Sequence, residues 1–254
     1  MTFFKALVAA MSAYSAIPMP RTEWDDESLK YAVCFLPAVG AVCAAALFLW
    51  YRLCLAINAG GILFSSVAVC LPLIITGGIH MDGFMDTVDA LASHQGRERM
   101  LEIMKDSSCG AFSIIYFGVY MLLSLGVFCE LYSHGLTAAA CPVYILSRAL
   151  CAICTVRIPY AKTSVMLRSF TSPARKNIVT ASMTVLLLAC AATMTLLSPS
   201  SGGLAIAFAL ICTLAYRSAV IRLFGGITGD TSGFLIMACE LCALLGVLTG
   251  GLII

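Results

Sequence analysis

The stretch "LPLIITGGIHMDGFMDTVDA", Leu71–Ala90, decides how this chain is read: an apolar run stops at Gly77-Gly78, and three aspartates follow at once. A bilayer core is about 30 Å thick and a helix rises about 1.5 Å per residue, so roughly 20 apolar residues cross it. Gly60–Ile79 meets that length. So do Tyr31–Ile57, Cys109–Cys129, Leu136–Val156, Ile178–Leu197, Gly202–Phe224 and Gly233–Ile254. Hydrophobic residues make up 61% of the 254 and charged ones only 11%, against about 25% charged in soluble domains. The expected fold is all-α and polytopic, with about seven transmembrane helices in a single integral membrane domain, residues 1–254. Phe3–Ile17 is too short to span, carries Lys5 and ends at "IPMPR", whose prolines stop a helix. It is expected to be a short N-terminal interfacial or re-entrant helix. As a signal peptide it has a weak n-region and a poor cleavage site at Ile17-Pro18.

The Lys and Arg residues mark one side of the membrane. They occupy the N-terminal segment, the segments after the second and fourth spans, and the end of the sixth span, with only Arg52 and Arg148 elsewhere. The alternate connections "NAGG", "YSHG" and "SPSSGG" carry none. The positive-inside rule then puts the long loops in the cytoplasm of a multi-pass protein of the cell membrane. The lipid bilayer is the expected partner, and no nucleic acid is. Most of the 13 cysteines lie inside apolar spans, where they act as small hydrophobes. "CAIC" at Cys151–Cys154 has metal-ligand spacing but no second ligand pair nearby.

Asp82, Asp86 and Asp89 recur at i, i+4 and i+7 and fall on one helical stripe. Like charges so placed repel, so a cation or shared protons are expected among them. A solvated acidic face is the bland alternative, but the stripe starts where a span ends. Glu98, Glu102 and Asp106 continue the pattern, so residues 77–112 read as a short helical hairpin that forms an active-site loop at the membrane surface. "EWDDES", Glu23–Ser28, reads instead as the acidic first turn of a helix.

"GGITGD", Gly225–Asp230, repeats the form of "GGIHMD", Gly77–Asp82. If both end inward-running helices, two glycine corners face one site, and Asp82 and Asp230 arrive at equal depth. Within the second corner, residues 225–240, Thr228, Gly229 and Thr231 offer hydroxyls and amides to phosphate oxygens or a metal's water shell. Glu240 lies about two turns into the last span, where an ionisable group is a functional candidate. Carboxylates with Arg and Lys, and no Cys-His set, suit Mg²⁺ and a phosphate ester or pyrophosphate substrate. The basic loop 157–177, with Lys162, is expected to cradle that substrate.

At these residues the chain resembles the cobalamin synthase family, the adenosylcobinamide-GDP ribazoletransferases. The resemblance is carried by "TGGIHMDGFMDTVDALASHQGRERMLEIMKDSSCGAF", Thr76–Phe112, with "IPMPR", "FLPAVG" (Phe35–Gly40), "SR" (Ser147-Arg148), "PYAK" (Pro159–Lys162) and "GGITGDTSG" (Gly225–Gly233) in the same order. Departures are Ala90 where the family commonly has Gly, "TSVML" where it has a Gly-Leu-Gly stretch, and Met237 where a second Glu is frequent. The resemblance implies that the ribose 3′-hydroxyl of α-ribazole, or of its 5′-phosphate, attacks the phosphorus of adenosylcobinamide-GDP and releases GMP with Mg²⁺ as cofactor. It implies a metal shell of Asp82, Asp86, Asp89 and Asp106, completed by Asp230, with Glu240 a ligand or a structural partner. Asp82, Asp86, Asp89 and His80 are the catalytic candidates, His80 orienting a carboxylate or accepting a proton. Arg97, Arg99 and Lys105 either contact the pyrophosphate or guanosine or pair with acids on their own helix. Arg148, in mid-span, needs a buried acid or the substrate as partner. A homo-oligomer, or assembly with other cobalamin enzymes, is open.

Three other readings are weaker. A CDP-alcohol phosphatidyltransferase would continue D-G-x-x-A-R, whereas "FMDT" follows Asp82-Gly83. The paired aspartate clusters of a prenyltransferase are missing. An ion-coupled transporter would place its key acids near the bilayer midplane.

Overall fold

Because backbone in lipid must satisfy its own hydrogen bonds, the apolar runs form helices. The computed structural model describes residues 2–22, 24–106 and 108–253. Among them there is no strand, and one isolated parallel bridge joins Tyr160 to Ile227. The acidic-turn reading at Glu23 and the expected end of the last span at Ile254 lie outside the described residues.

Helix α1, Thr2–Tyr14, rises only about 20 Å and cannot cross. It buries Ala6, Val8, Ala9, Ala10 and Met11 and exposes Phe3 and Phe4. Its end docks on the first glycine corner, where the Ala16 amide donates to the Ile75 carbonyl at 2.9 Å. Asp25 caps α2, Asp26–Ala32, by accepting from the Ser28 amide. Lys5, 2.9 Å from Asp25, holds that carboxyl down at about 2 with the help of Ser28. Through a 3₁₀ turn, Val33–Phe35, α2 leads into α3, Leu36–Ala56.

Next comes α4, Gly61–Thr76, and then α5, Ile79–Ala92, at 95° to it. Gly77 and Gly78 make this corner with φ of 64° and 79°, a left-handed backbone that a Cβ resists. A short α6, Arg97–Ile103, completes the hairpin. The remaining helices are α7 (Ala111–Ser133), α8 (Thr137–Ala140), α9 (Val143–Arg157), α10 (Val165–Thr171), α11 (Lys176–Leu197), α12 (Pro199–Phe224) and α13 (Gly229–Leu252). Among the described residues, six helical stretches are long and apolar enough to cross a bilayer, and α4 with α5 makes a broken seventh candidate. The last span was expected to start at Gly233. It starts at Gly229, because Thr228 and Thr231 form a capping box and draw Asp230 into the first turn.

The bundle is assembled by close backbone contacts. A Cβ on Gly246 would lie 2.6 Å from Ala205 Cα, and one on Gly250 would lie 2.5 Å from Ser201 Cα, so α12 and α13 touch backbone to backbone. The stretch Thr137–Arg157 is the innermost span, while α11 and α12 show most of their surface to lipid. The turns at residues 77–78, 93–96, 104–106, 108–110, 158–164 and 225–228 all gather at one end of the bundle. This placement follows from contacts of α5 with α13, of Asp89 with Gly110, of Arg97 with Arg222 and of Pro159 with Ile227.

Candidate active site

Both Gly-Gly pairs end a helix in the same way. Gly77 caps α4 and Gly225 caps α12, each in the left-handed region, and each corner delivers an aspartate into the first turn of the next helix. The corners then meet. A Cβ on Gly83 would sit 2.7 Å from the Asp230 carbonyl oxygen, and one on Gly233 would sit 2.8 Å from that of His80. Only glycines let α5 and α13 cross so closely, and the crossing sets Asp82 and Asp86 against Asp230.

Helix α5, at 14 residues too short to cross alone, turns 95° away from α4 and packs against α13 and α7. Burial first, then the charges of Asp82, Asp230 and Asp89, push the Asp86 carboxyl from 3.8 up to about 7. Among the described residues, no ion pair involves Asp82, Asp86 or Asp230. No three described His, Cys, Asp or Glu side chains form a ready-made metal cage. Uncompensated carboxylates without a closed cage fit Mg²⁺, which takes one or two protein carboxylates and leaves room for substrate phosphates.

Several expected site residues have other work. Asp89 accepts from the Gly110 amide at 2.7 Å and the Ser113 amide at 2.8 Å, so both its oxygens cap the start of α7. Asp106 is exposed, turns onto its own loop and accepts from the Ser108 amide and hydroxyl, which hold its carboxyl below the usual carboxylate range. It is not brought to the cluster.

Glu240 and Arg148 are each 1% exposed and pair with one another, with Ser147 donating to the same carboxylate at 3.2 Å. Of the alternatives read from sequence, Glu240 takes the structural one and Arg148 takes the buried acid: each neutralises the other between α13 and α9. His80 is 4% exposed and stacks on Tyr14 with centroids 6.3 Å apart. It is buried under α1, and its Nε2 has no hydrogen-bond partner among the described residues. Thr228 and Thr231 spend their hydroxyls on the capping box, correcting their expected role toward phosphate. Gly229 is exposed with open space around it.

Beside the acids lies an open groove of about 860 Å³, lined by Gly96–Leu101, Tyr160, Lys162 and Arg222–Gly225. Arg97 donates to the carbonyls of Arg222 at 2.9 Å and Leu223 at 3.3 Å, so it clamps the end of α12 next to Gly225. Arg99 pairs with Glu102 at 2.9 Å on the exposed face of α6, the second of the two alternatives read from sequence. Lys162 is exposed in the groove wall, and Lys105 is exposed outside it.

The sequence matches the family described as cobalamin-5-phosphate synthase over residues 6–248. The chain belongs to that family. Among similar proteins is an adenosylcobinamide-GDP ribazoletransferase of Lachnoclostridium phytofermentans, 39% identical over 97% of this chain and 94% of the relative. Proteins of the same name from Clostridium botulinum and Desulfitobacterium hafniense are 33% and 34% identical, covering 95% and 97% of this chain and 96% and 97% of their own length. No solved structure matches the chain. For a cobalamin-5-phosphate synthase family member, the acids at the crossing and the groove beside them form the natural candidate site.

Sequence reasoning missed two features of it. The bridge at Tyr160–Ile227, with the Ala161 amide donating to the Ile227 carbonyl at 3.1 Å, ties the basic loop to the second corner. No local pattern announces it. Arg222 was noticed only as a topology marker, although its place one turn before Gly225 puts it at the corner.

Proposed function

We propose that the chain is an adenosylcobinamide-GDP ribazoletransferase, joining adenosylcobinamide-GDP to α-ribazole or its 5′-phosphate with release of GMP. The observation that carries this reading is the crossing of α5 and α13 at Gly83 and Gly233, which unites acids from two distant corners. The relatives' shared name supports the choice of substrates.

Asp82, Asp86 and Asp230 are the residues that would hold Mg²⁺. When bound, the cation neutralises the donor's phosphate charge, which otherwise repels an incoming hydroxyl. The acceptor's ribose hydroxyl oxygen bonds to the phosphorus on the cobinamide side. The bond from that phosphorus to the bridging oxygen breaks, and GMP departs with that oxygen. The hydroxyl proton passes to water in the open groove as the new bond forms. Asp89 acts at a distance, holding α7 against α5, and Arg97 keeps the second corner in register with the hairpin.

The acid end also carries nearly every base. All Lys and Arg except Arg52 and Arg148 lie at that end or within about two turns of it. By the positive-inside rule this end faces the cytoplasm of a cell membrane.

The test is turnover by the purified full chain in detergent. With Mg²⁺ it should convert adenosylcobinamide-GDP and α-ribazole to a cobamide and GMP. No product with either form of the acceptor would sink the assignment. Product formation unchanged by a chelator would remove the metal from it.

A further inference from the structure

The acids account for phosphoryl transfer but not for how the nucleotide half of the donor is held. Resting on the proposed reaction, we infer that the groove walled by α6, Tyr160–Lys162 and the end of α12 is the binding site for the guanosine monophosphate leaving group, with Arg222 and Lys162 on its phosphate and Glu98 on the base.

Charge is the first reason. Arg97, Arg99, Lys162 and Arg222 line the groove against a single acid, Glu98. Arg97 and Arg99 are engaged within the protein, while the Arg222 and Lys162 side chains make no hydrogen bond or ion pair among the described residues. Two free cations lining one groove suit a phosphate monoester dianion.

Position is the second. Gly225 lines the groove, and Asp230 is five residues further on, which limits their separation to roughly 18 Å even for extended chain. Groove and acids thus flank the same corner, Gly225–Asp230, so a donor whose reacting phosphorus sits at the acids would extend its leaving group toward the basic channel.

The third reason is Glu98. It is exposed, sits on the groove wall and is without an ion pair or hydrogen bond among the described residues. An unpaired acid amid cations weakens phosphate binding, so it needs a donor-rich partner. Guanine offers one, because its N1–H and exocyclic amino group point the same way and suit one carboxylate. Adenine has no N1–H. The half-buried Tyr160 ring, held by its hydroxyl at 2.8 Å from Thr171 Oγ1, gives the base an apolar wall.

The test measures GMP and AMP binding to the full chain in detergent, without acceptor, for wild type, Arg222→Ala, Lys162→Ala and Glu98→Ala, with melting curves as a folding control. Wild type should prefer GMP over AMP by about tenfold or more, the worth of hydrogen bonds to a charged group. Arg222→Ala and Lys162→Ala should each weaken both nucleotides by about tenfold. Glu98→Ala should weaken GMP while leaving AMP unchanged or tighter. Equal wild-type affinity for GMP and AMP, or a Glu98→Ala variant that keeps the full preference, overturns the assignment. If those results come with normal turnover of adenosylcobinamide-GDP, the groove is wrong and the proposed reaction stands. Absent wild-type turnover instead removes the reaction itself.

Discussion

Asp82, Asp86 and Asp230 crowd together at one end of the bundle with no ion pair among the described residues, whereas Glu240, on the same α13 as Asp230, is buried against Arg148. Ten residues, about 15 Å of helix, separate the two settings. In the interior, an acid without a partner costs several kcal/mol, so Glu240 is neutralised within the protein. At the edge, water and ions relieve the cost, and the repulsion stays available for a ligand to relieve. The first setting is suited to chemistry and the second to holding helices together.

The widest expected separation is in activity. Asp82→Ala and Asp86→Ala should lower kcat by about a thousandfold or more, the scale for removing groups that stabilise transition-state charge, while Tm stays level or rises because repulsion is lost. A steady-state assay beside a melting curve checks this, and active variants would erase the distinction between the two settings.

On the interior side, Glu240→Ala strands a buried guanidinium and should cost about 3–5 kcal/mol of stability. The double variant Glu240→Leu with Arg148→Met should recover most of that and retain turnover. Loss of turnover in a well-folded double variant would return the pair to the chemistry.

The crossing itself can be loosened. Gly83→Ala places a methyl 2.7 Å from the Asp230 carbonyl oxygen, so α5 must move away. A stability loss of about 1–3 kcal/mol is expected, as for an overpacked site, along with a fall in kcat larger than in Gly118→Ala, whose Cβ meets nothing within 4 Å.

The smallest effect is in pH dependence. Asp86 has its folded pKa raised from 3.8 to about 7, so between these values the fold keeps a proton that the unfolded chain has released. In chelator, Tm should therefore fall as pH rises through that window. Added Mg²⁺ competes with the proton, so its stabilising effect should grow toward and above pH 7. A pH-independent Mg²⁺ effect would place the cation away from Asp86.

Much of this was open to inspection in the sequence, for identifiable reasons. Span length and the distribution of Lys and Arg are local properties, so the polytopic helical fold and the shared end of the two corners could be read directly. The Gly-Gly repeat announced two helix ends because a left-handed cap favours glycine. Glu240 and Arg148 illustrate what was hidden: each was recognised as a buried charge, but 92 positions of sequence separated the partners. Asp89 looked like Asp86 because periodicity records which face a residue occupies and not what meets that face. Its partner, the start of α7, is 21 residues away. Gly83 and Gly233 could be found as glycines inside helices, but not as the point where those helices touch.

The central claim is that acids from both corners bind one divalent cation. Mn²⁺ binding followed by electron paramagnetic resonance, on wild type, Asp82→Asn and Asp230→Asn in detergent, tests it most directly. Both substitutions should weaken the same site, and the double variant should lose little beyond the weaker single one. If either substitution left Mn²⁺ affinity unchanged, or the two effects simply added, the corners would not share a cation and the account would be contradicted.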